Sequence, residues 1–147
     1  MNSYRVTPRD PLPDAAPLPN PDPPLDPALL GLELLRAAKE VHEELGPGLL
    51  ESAYEMCLCH ELAIRSIPFR RQIPLPVEYK GIKLSCGYRM DLLVAGSLIV
   101  EVKSTEGVWR VHEAQLLTYM RLSGIPRGVL INFNVANLKD GVRRIGF

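Results

Sequence analysis

Asp91, Glu101 and Lys103 bring two carboxylates and an ammonium into one short stretch, Tyr88-Arg-Met-Asp-Leu-Leu-Val-Ala-Gly-Ser-Leu-Ile-Val-Glu-Val-Lys103. Two apolar runs flank Ala95-Gly96-Ser97, a glycine-containing turn of the kind that joins antiparallel strands. If those three residues are the loop and Val94 stands opposite Leu98, Asp91 falls opposite Glu101. Opposed side chains in a ladder have Cβ atoms roughly 4.5–5.5 Å apart, where like charges repel. Lys103, two residues beyond Glu101, shares its face. Such a set is costly unless a cation sits between the carboxylates. A hard divalent ion such as Mg²⁺ suits oxygen ligands, here Asp91, Glu101 and the backbone carbonyl of Val102. It would acidify a bound water and polarise a phosphoryl oxygen, with Lys103 offsetting charge on the phosphate or orienting the water. The spacing alone also fits a solvated strand face with a Glu101–Lys103 ion pair.

Further polar residues could join this set. Glu51 opens a helix in Gly48-Leu-Leu-Glu51-Ser-Ala-Tyr54 and, three residues apart, shares a face with Tyr54. It fits either a helix-dipole acid or a carboxylate that reaches the metal through water. Gln115 and Tyr119 lie one turn apart and could hydrogen-bond a phosphate or a ligating carboxylate, while Leu116, Leu117 and Met120 take the buried side. His112, close in sequence to the Gln115–Tyr119 helix, fits either a phosphate contact or, the favoured reading, a helix start or surface position. Trp109-Arg110 fits either a base-stacking pair or core packing.

Two helices must precede the strands. Asp26-Pro27 is an N-cap acid followed by proline at the first helical position, and apolar residues recur at helical spacing from Leu29 to Leu45. Gly46-Pro47-Gly48 breaks that helix. A second runs from about Leu49 to Arg65, with Leu50, Ala53, Tyr54, Cys57, Leu58 and Leu62 along one side. Gln72 to Tyr79 reads as a strand that Pro74 and Pro76 confine partly to an edge. Ile82 to Val94 reads as another, bent near Gly87, and Leu98 to Ser104 as a third. A helix over His112–Leu122, a buried strand over Arg127–Phe133 and a last strand over Gly141–Phe147 complete the order α-α-β-β-β-α-β-(β). That order predicts an α/β domain with a mixed sheet and flanking helices.

The 147 residues suit one domain. Residues 1–28 hold nine of the fourteen prolines and no core-forming pattern, so they read as a disordered tail before a domain over 29–147. The formal charge is zero overall, −2 in that tail and so +2 beyond it, which permits a polyanionic partner without demanding one. Cys57, Cys59 and Cys86 lack metal-binding spacing, since side chains two apart on a helix diverge by about 200°. No run reaches the ~18 apolar residues of a membrane span, and the start lacks a secretory signal's pattern. A cytoplasmic protein with no membrane association is the expectation.

Gly48-x-x-Glu51-x-x-Tyr54, Gly87-Tyr-Arg-Met-Asp91, Val100-Glu-Val-Lys103, His112-Glu-Ala-Gln115-Leu-Leu-x-Tyr119 and Leu130-Ile-Asn-Phe-Asn134 occur in an order that resembles the GxxExxY family, a branch of the PD-(D/E)XK nuclease superfamily. The resemblance spans about Leu30 to Phe147. It implies a restriction-endonuclease-like core in which Asp91, Glu101 and Lys103 match the catalytic signature. Glu51 matches the helix glutamate, and Gln115 with Tyr119 the QxxxY element. Met90 stands where the superfamily's proline precedes the aspartate. The implied activity is Mg²⁺- or Mn²⁺-dependent hydrolysis of DNA or RNA phosphodiesters. The alternative is a catalytically inactive nucleic-acid-binding or accessory module that keeps the fold. So few surplus cations suit a site completed by a homo-oligomer or a partner subunit.

Overall fold

The computed structural model describes residues 19–84, 87–107 and 110–147. Trp109 and Cys86 lie outside them. Helix α1, Pro27–Leu45, starts as its residues dictate: the Asp26 carboxylate accepts the Ala28 N–H at 2.8 Å with Pro27 at the first helical position. The Asp26-Pro27 start is the one the sequence signals, so the helix overlaps the end of the 1–28 stretch, and Leu25 just before it packs on the core. Gly46, at φ 66°, ends the helix and donates its N–H to the His42 carbonyl.

Helix α2 is Glu51–Ile64. Its buried side is Tyr54, Glu55, Leu58, Cys59 and Leu62, whereas Leu50, expected on that side, is 77% exposed. Tyr54 is fully buried, so it does not share a solvent face with Glu51. Its ring stacks on Phe133 with centroids 4.5 Å apart. Its hydroxyl donates to the Gly46 carbonyl and accepts the Leu49 N–H, which fastens the glycine-rich loop to the core.

The main sheet has the order β1-β4-β5-β6-β7, with β1 Phe69–Pro74, β4 Arg89–Val94, β5 Leu98–Lys103, β6 Gly128–Asn132 and β7 Val142–Ile145. β5 and β6 run parallel, joined through α3, Arg110–Ser123; the other pairs are antiparallel. This is the expected mixed sheet. Helices α1 and α2 cover one face over Leu92, Val94, Val100, Val102, Val129 and Ile131. Helix α3 covers the other through Leu116 and Tyr119, against Ile99 and Leu130. Leu117, expected among the buried residues of α3, is half exposed.

Two expected strands are each divided. Pro76 lacks an N–H and ends the extension of β1 after Leu75, whose N–H still reaches the Tyr88 carbonyl. Beyond it, β2 Val77–Tyr79 and β3 Ile82–Leu84 form their own two-stranded ribbon across the Lys80-Gly81 turn. Both turn residues have positive φ, 47° and 84°, as tight hairpin turns require. Pro74 sits on β1, an edge strand, where a missing donor does least harm. The connector from Asn134 holds a short 3₁₀ turn, Leu138–Gly141, immediately before β7.

Candidate active site

The β4–β5 hairpin has the anticipated three-residue loop, with Ala95 and Gly96 at φ 50° and 68°. Val94 pairs with Leu98, Leu93 with Ile99 and Leu92 with Val100. The ladder then stops one step short of Asp91 and Glu101. Their side chains take over the work of the missing backbone bonds. The Asp91 N–H donates to Glu101 Oε1 at 3.1 Å, and the Val102 N–H donates to Asp91 Oδ2 at 2.9 Å. Each carboxylate is thus fixed to the backbone of the opposite strand.

Glu101 is 2% exposed. Burial, and then the Asp91 charge, push its carboxyl up to about 9, against the opposing effects of the Asp91 N–H and the Lys103 charge. A solvated face with a Glu101–Lys103 ion pair is therefore not what forms. The Lys103 ammonium instead donates to Gln115 Oε1 at 3.2 Å, and Gln115 Nε2 donates to the Tyr119 hydroxyl at 2.8 Å. Tyr119 is buried, and its phenol is raised above its usual range by burial and by the Glu101 charge. Because its oxygen accepts from Gln115, its own proton remains free to donate.

Glu51 lies at the rim. It is exposed, and its Oε1 accepts the Ser104 N–H at 3.3 Å, while Ser104 Oγ donates to the Leu49 carbonyl at 2.6 Å. His112 stands in the first turn of α3; burial and the Lys103 charge lower its imidazole, and the Glu51 charge opposes them. His112 is thus at a helix start, as the favoured sequence reading has it, and also lies within the fields of both Lys103 and Glu51.

Three residues near Asp91, namely Glu55, Gln72 and Arg71, belong to the site without any motif to mark them. Glu55, one turn after Glu51, is 7% exposed. Gln72 Nε2 donates to both of its oxygens, at 3.1 and 3.0 Å, and Arg71 Nε donates at 3.3 Å. Burial raises the Glu55 carboxyl most, Gln72 opposes, and the Asp91 charge raises it further. The available signal was the i,i+4 pair Glu51 and Glu55 on α2. A fourth residue, Asn132 on β6, is fully buried and holds the loop that follows Lys103. It accepts the Thr105 and Asn134 N–H groups, both at 3.1 Å, and donates to the Thr105 and Gly107 carbonyls at 2.9 and 3.2 Å.

The arrangement suits a hard divalent cation. The donors are oxygens, and two carboxylates of which one is fully buried cannot both ionise cheaply without positive charge. Along β5, Ile99 and Lys103 exchange backbone bonds with the β6 side, so alternation turns the Val102 carbonyl toward β4 and Asp91. Among the described residues, no three His, Cys, Asp or Glu side chains stand ready-made around a metal position. A small cleft of about 180 Å³, lined by Val77, Tyr88, Thr118, Tyr119, Arg121 and Leu122, adjoins the site beside the β2–β3 ribbon. A wider one of about 730 Å³ lies elsewhere, between α1 and the segment from Ala136 to Arg144.

Residues 30–145 match the family model of the PD-(D/E)XK nuclease superfamily. No curated protein and no solved structure matches the chain.

Proposed function

Since the chain belongs to the PD-(D/E)XK nuclease superfamily, we propose that it hydrolyses phosphodiester bonds of DNA or RNA with the help of Mg²⁺ or Mn²⁺. The finer placement, in the GxxExxY branch, rests on Gly48, Glu51 and Tyr54 together with Gln115 and Tyr119. The observation that carries the reading is the crossed pair of bonds in which the Asp91 N–H donates to the Glu101 carboxylate and the Val102 N–H donates to the Asp91 carboxylate. It sets a buried carboxylate and a second carboxylate side by side at the open end of a ladder, against electrostatic cost.

Asp91, Glu101 and the Val102 carbonyl would hold the ion, with Glu51 reaching it through water. When bound, the ion supplies Lewis acidity and a more acidic water. The chain's own residues do the rest. Gln115 holds the Lys103 ammonium, and so fixes a positive charge beside the carboxylates where a phosphate in transfer gains negative charge. Tyr119, tied to the other end of Gln115, offers its hydroxyl to a phosphate oxygen or a ligating carboxylate. The partner is a nucleic acid, with Tyr88 and Arg121 of the adjoining cleft at hand to receive it. A second subunit adding cations fits the small basic surplus, and no described helix is long and apolar enough to cross a membrane. We place the protein in the cytoplasm.

The test is calorimetric Mg²⁺ titration alongside single-turnover cleavage of single- and double-stranded DNA and RNA. Lys103→Ala should keep Mg²⁺ affinity within a few fold yet lose roughly 10²–10³ in rate, the loss typical of one electrostatic stabiliser. Lys103→Arg should not restore it fully, because a planar guanidinium does not replace a compact ammonium. Asp91→Ala and Glu101→Ala should lose metal and activity together. Equal rates for wild type and Lys103→Ala would remove Lys103 from the mechanism. A wild type that binds no Mg²⁺ and cuts none of the substrates would leave the nucleic-acid-binding module in its place.

A further inference from the structure

The β1–β4 ladder is intact on both sides of one missing rung. Arg71 pairs with Leu92 and Ile73 with Met90, but Gln72, which the register sets opposite Asp91, makes no pair. Gln72 has φ 48°, a left-handed conformation that a side-chain-bearing residue in a strand adopts only under constraint. The constraint is visible. Its amide nitrogen is bound to both oxygens of the buried Glu55 carboxylate, which Arg71 Nε also grips. Glu55 belongs to α2, so the clamp joins a helix on one face of the sheet to an edge strand.

Asp91 therefore has no ladder partner on either side, since the β4–β5 ladder also ends before it. Its N–H goes to Glu101, and its carboxylate to the Val102 N–H. A regular rung at Gln72 would draw the Asp91 backbone toward β1 and compete with this exchange. We infer that Glu55 and Gln72 are positioning residues for Asp91: their clamp keeps residue 72 out of the ladder, which frees Asp91 to interlock with Glu101 and Val102. The inference rests on the nuclease reading only for what Asp91 is positioned to do. The clamp, the left-handed residue and the missing rung stand without it.

The rung and the Mg²⁺ affinity of two variants separate this role from plain stabilisation. Glycine adopts a positive φ without strain, whereas alanine does not. Gln72→Gly should therefore preserve much of the interruption, and Gln72→Ala should restore a negative φ and the rung to Asp91. Crystal structures and amide hydrogen exchange at Asp91 and Val102, on metal-free protein, read this directly. Calorimetry with Mg²⁺ should show a loss of roughly tenfold or more for Gln72→Ala, as for other residues that orient metal ligands, and a smaller loss for Gln72→Gly. A clamp that only stabilised the strand would lower the unfolding midpoint of both variants while the rung at residue 72 stayed open and Mg²⁺ affinity stayed unchanged. Gln72→Ala with the rung still open and amide exchange unchanged overturns the inference, as does Gln72→Gly affected at least as much as Gln72→Ala. If Gln72→Ala does not fold, Glu55→Gln takes its place. It sets an amide against an amide at one of the two bonds, and unchanged Asp91 and Val102 amides in that variant overturn the inference equally. If wild type binds no Mg²⁺, the metal reading fails, while the structures and amide exchange still decide this one.

Discussion

Glu101 carries its carboxylate almost wholly out of water and beside a second one, which couples proton binding to folding. Its folded value, about 9, lies above its ordinary value of 4.5. Between those limits the native state binds more protons than the unfolded chain. The associated stability is fully present below about pH 4.5 and is lost as pH rises toward 9. The thermal midpoint of the metal-free protein should accordingly fall by at least about 5 °C between pH 5 and 9, where 1 kcal/mol corresponds to several degrees. Glu101→Gln should flatten the slope and raise the midpoint at pH 8–9. Lowering of His112 acts in the opposite sense, so the difference between wild type and variant isolates Glu101. A wild-type midpoint independent of pH in calorimetry would show that the carboxylate is solvated. The pairing behind this was legible because a three-residue loop fixes a hairpin's register, and Asp91, Glu101 and Lys103 all lie within that hairpin. Glu55 was not legible: its burial depends on Gln72, a partner 17 residues away in another element, and apolar periodicity does not say which of the three carboxylates on α2 turns inward.

Elements hold these side chains through a few buried polar anchors. Asn132 satisfies three backbone groups of the segment that follows Lys103 and the Asn134 N–H after β6. Removing its amide leaves several of them unpaired, so Asn132→Ala should cost roughly 2–4 kcal/mol by denaturant unfolding. Tyr54→Phe strips one hydroxyl that serves Gly46 and Leu49, and should cost roughly 1–2 kcal/mol with little change in the stacked ring. Losses below about 0.5 kcal/mol in both variants would show that water replaces these bonds. Helix limits and the α3 crossover were legible from caps, glycines and periodicity. The β2–β3 ribbon was not, because alternation marks a strand without saying which sheet receives it. Pro76, which stops β1, decides that Val77–Tyr79 turns to Ile82–Leu84 instead.

At the scale of the whole molecule, the domain begins slightly earlier than its apolar pattern suggests. Leu25 packs on the core and Asp26 caps α1. Removing residues 1–28 should therefore cost the cap, about 1 kcal/mol, together with the Leu25 contact, for a drop of roughly 5 °C or more. Removing residues 1–18, which lack any core-forming pattern, should change the midpoint by less than about 2 °C. Equal midpoints for the two truncations would mean that neither Leu25 nor the cap contributes. The order of elements and the mixed sheet were legible because turn signals separate the apolar runs. What sequence alone could not fix was the relation of α2 to β1, since it depends on side chains that meet only after the sheet has assembled.

The β4–β5 hairpin also bears on how fast the chain folds. It is the most local pairing of the main sheet, closed by three residues, whereas β5 reaches β6 only through α3. Local pairings of this kind form within microseconds and tend to be present in the transition state. Asp91 and Glu101 meet in that hairpin, so their repulsion falls on the folding limb rather than the unfolding limb. Glu101→Gln should speed refolding in stopped-flow experiments at pH 8 and leave unfolding nearly unchanged. A slowed unfolding limb with unaltered refolding would place the encounter of the carboxylates after the barrier. Carboxylates set close together for chemistry thereby act as a brake on the chain's own assembly, one that protons release.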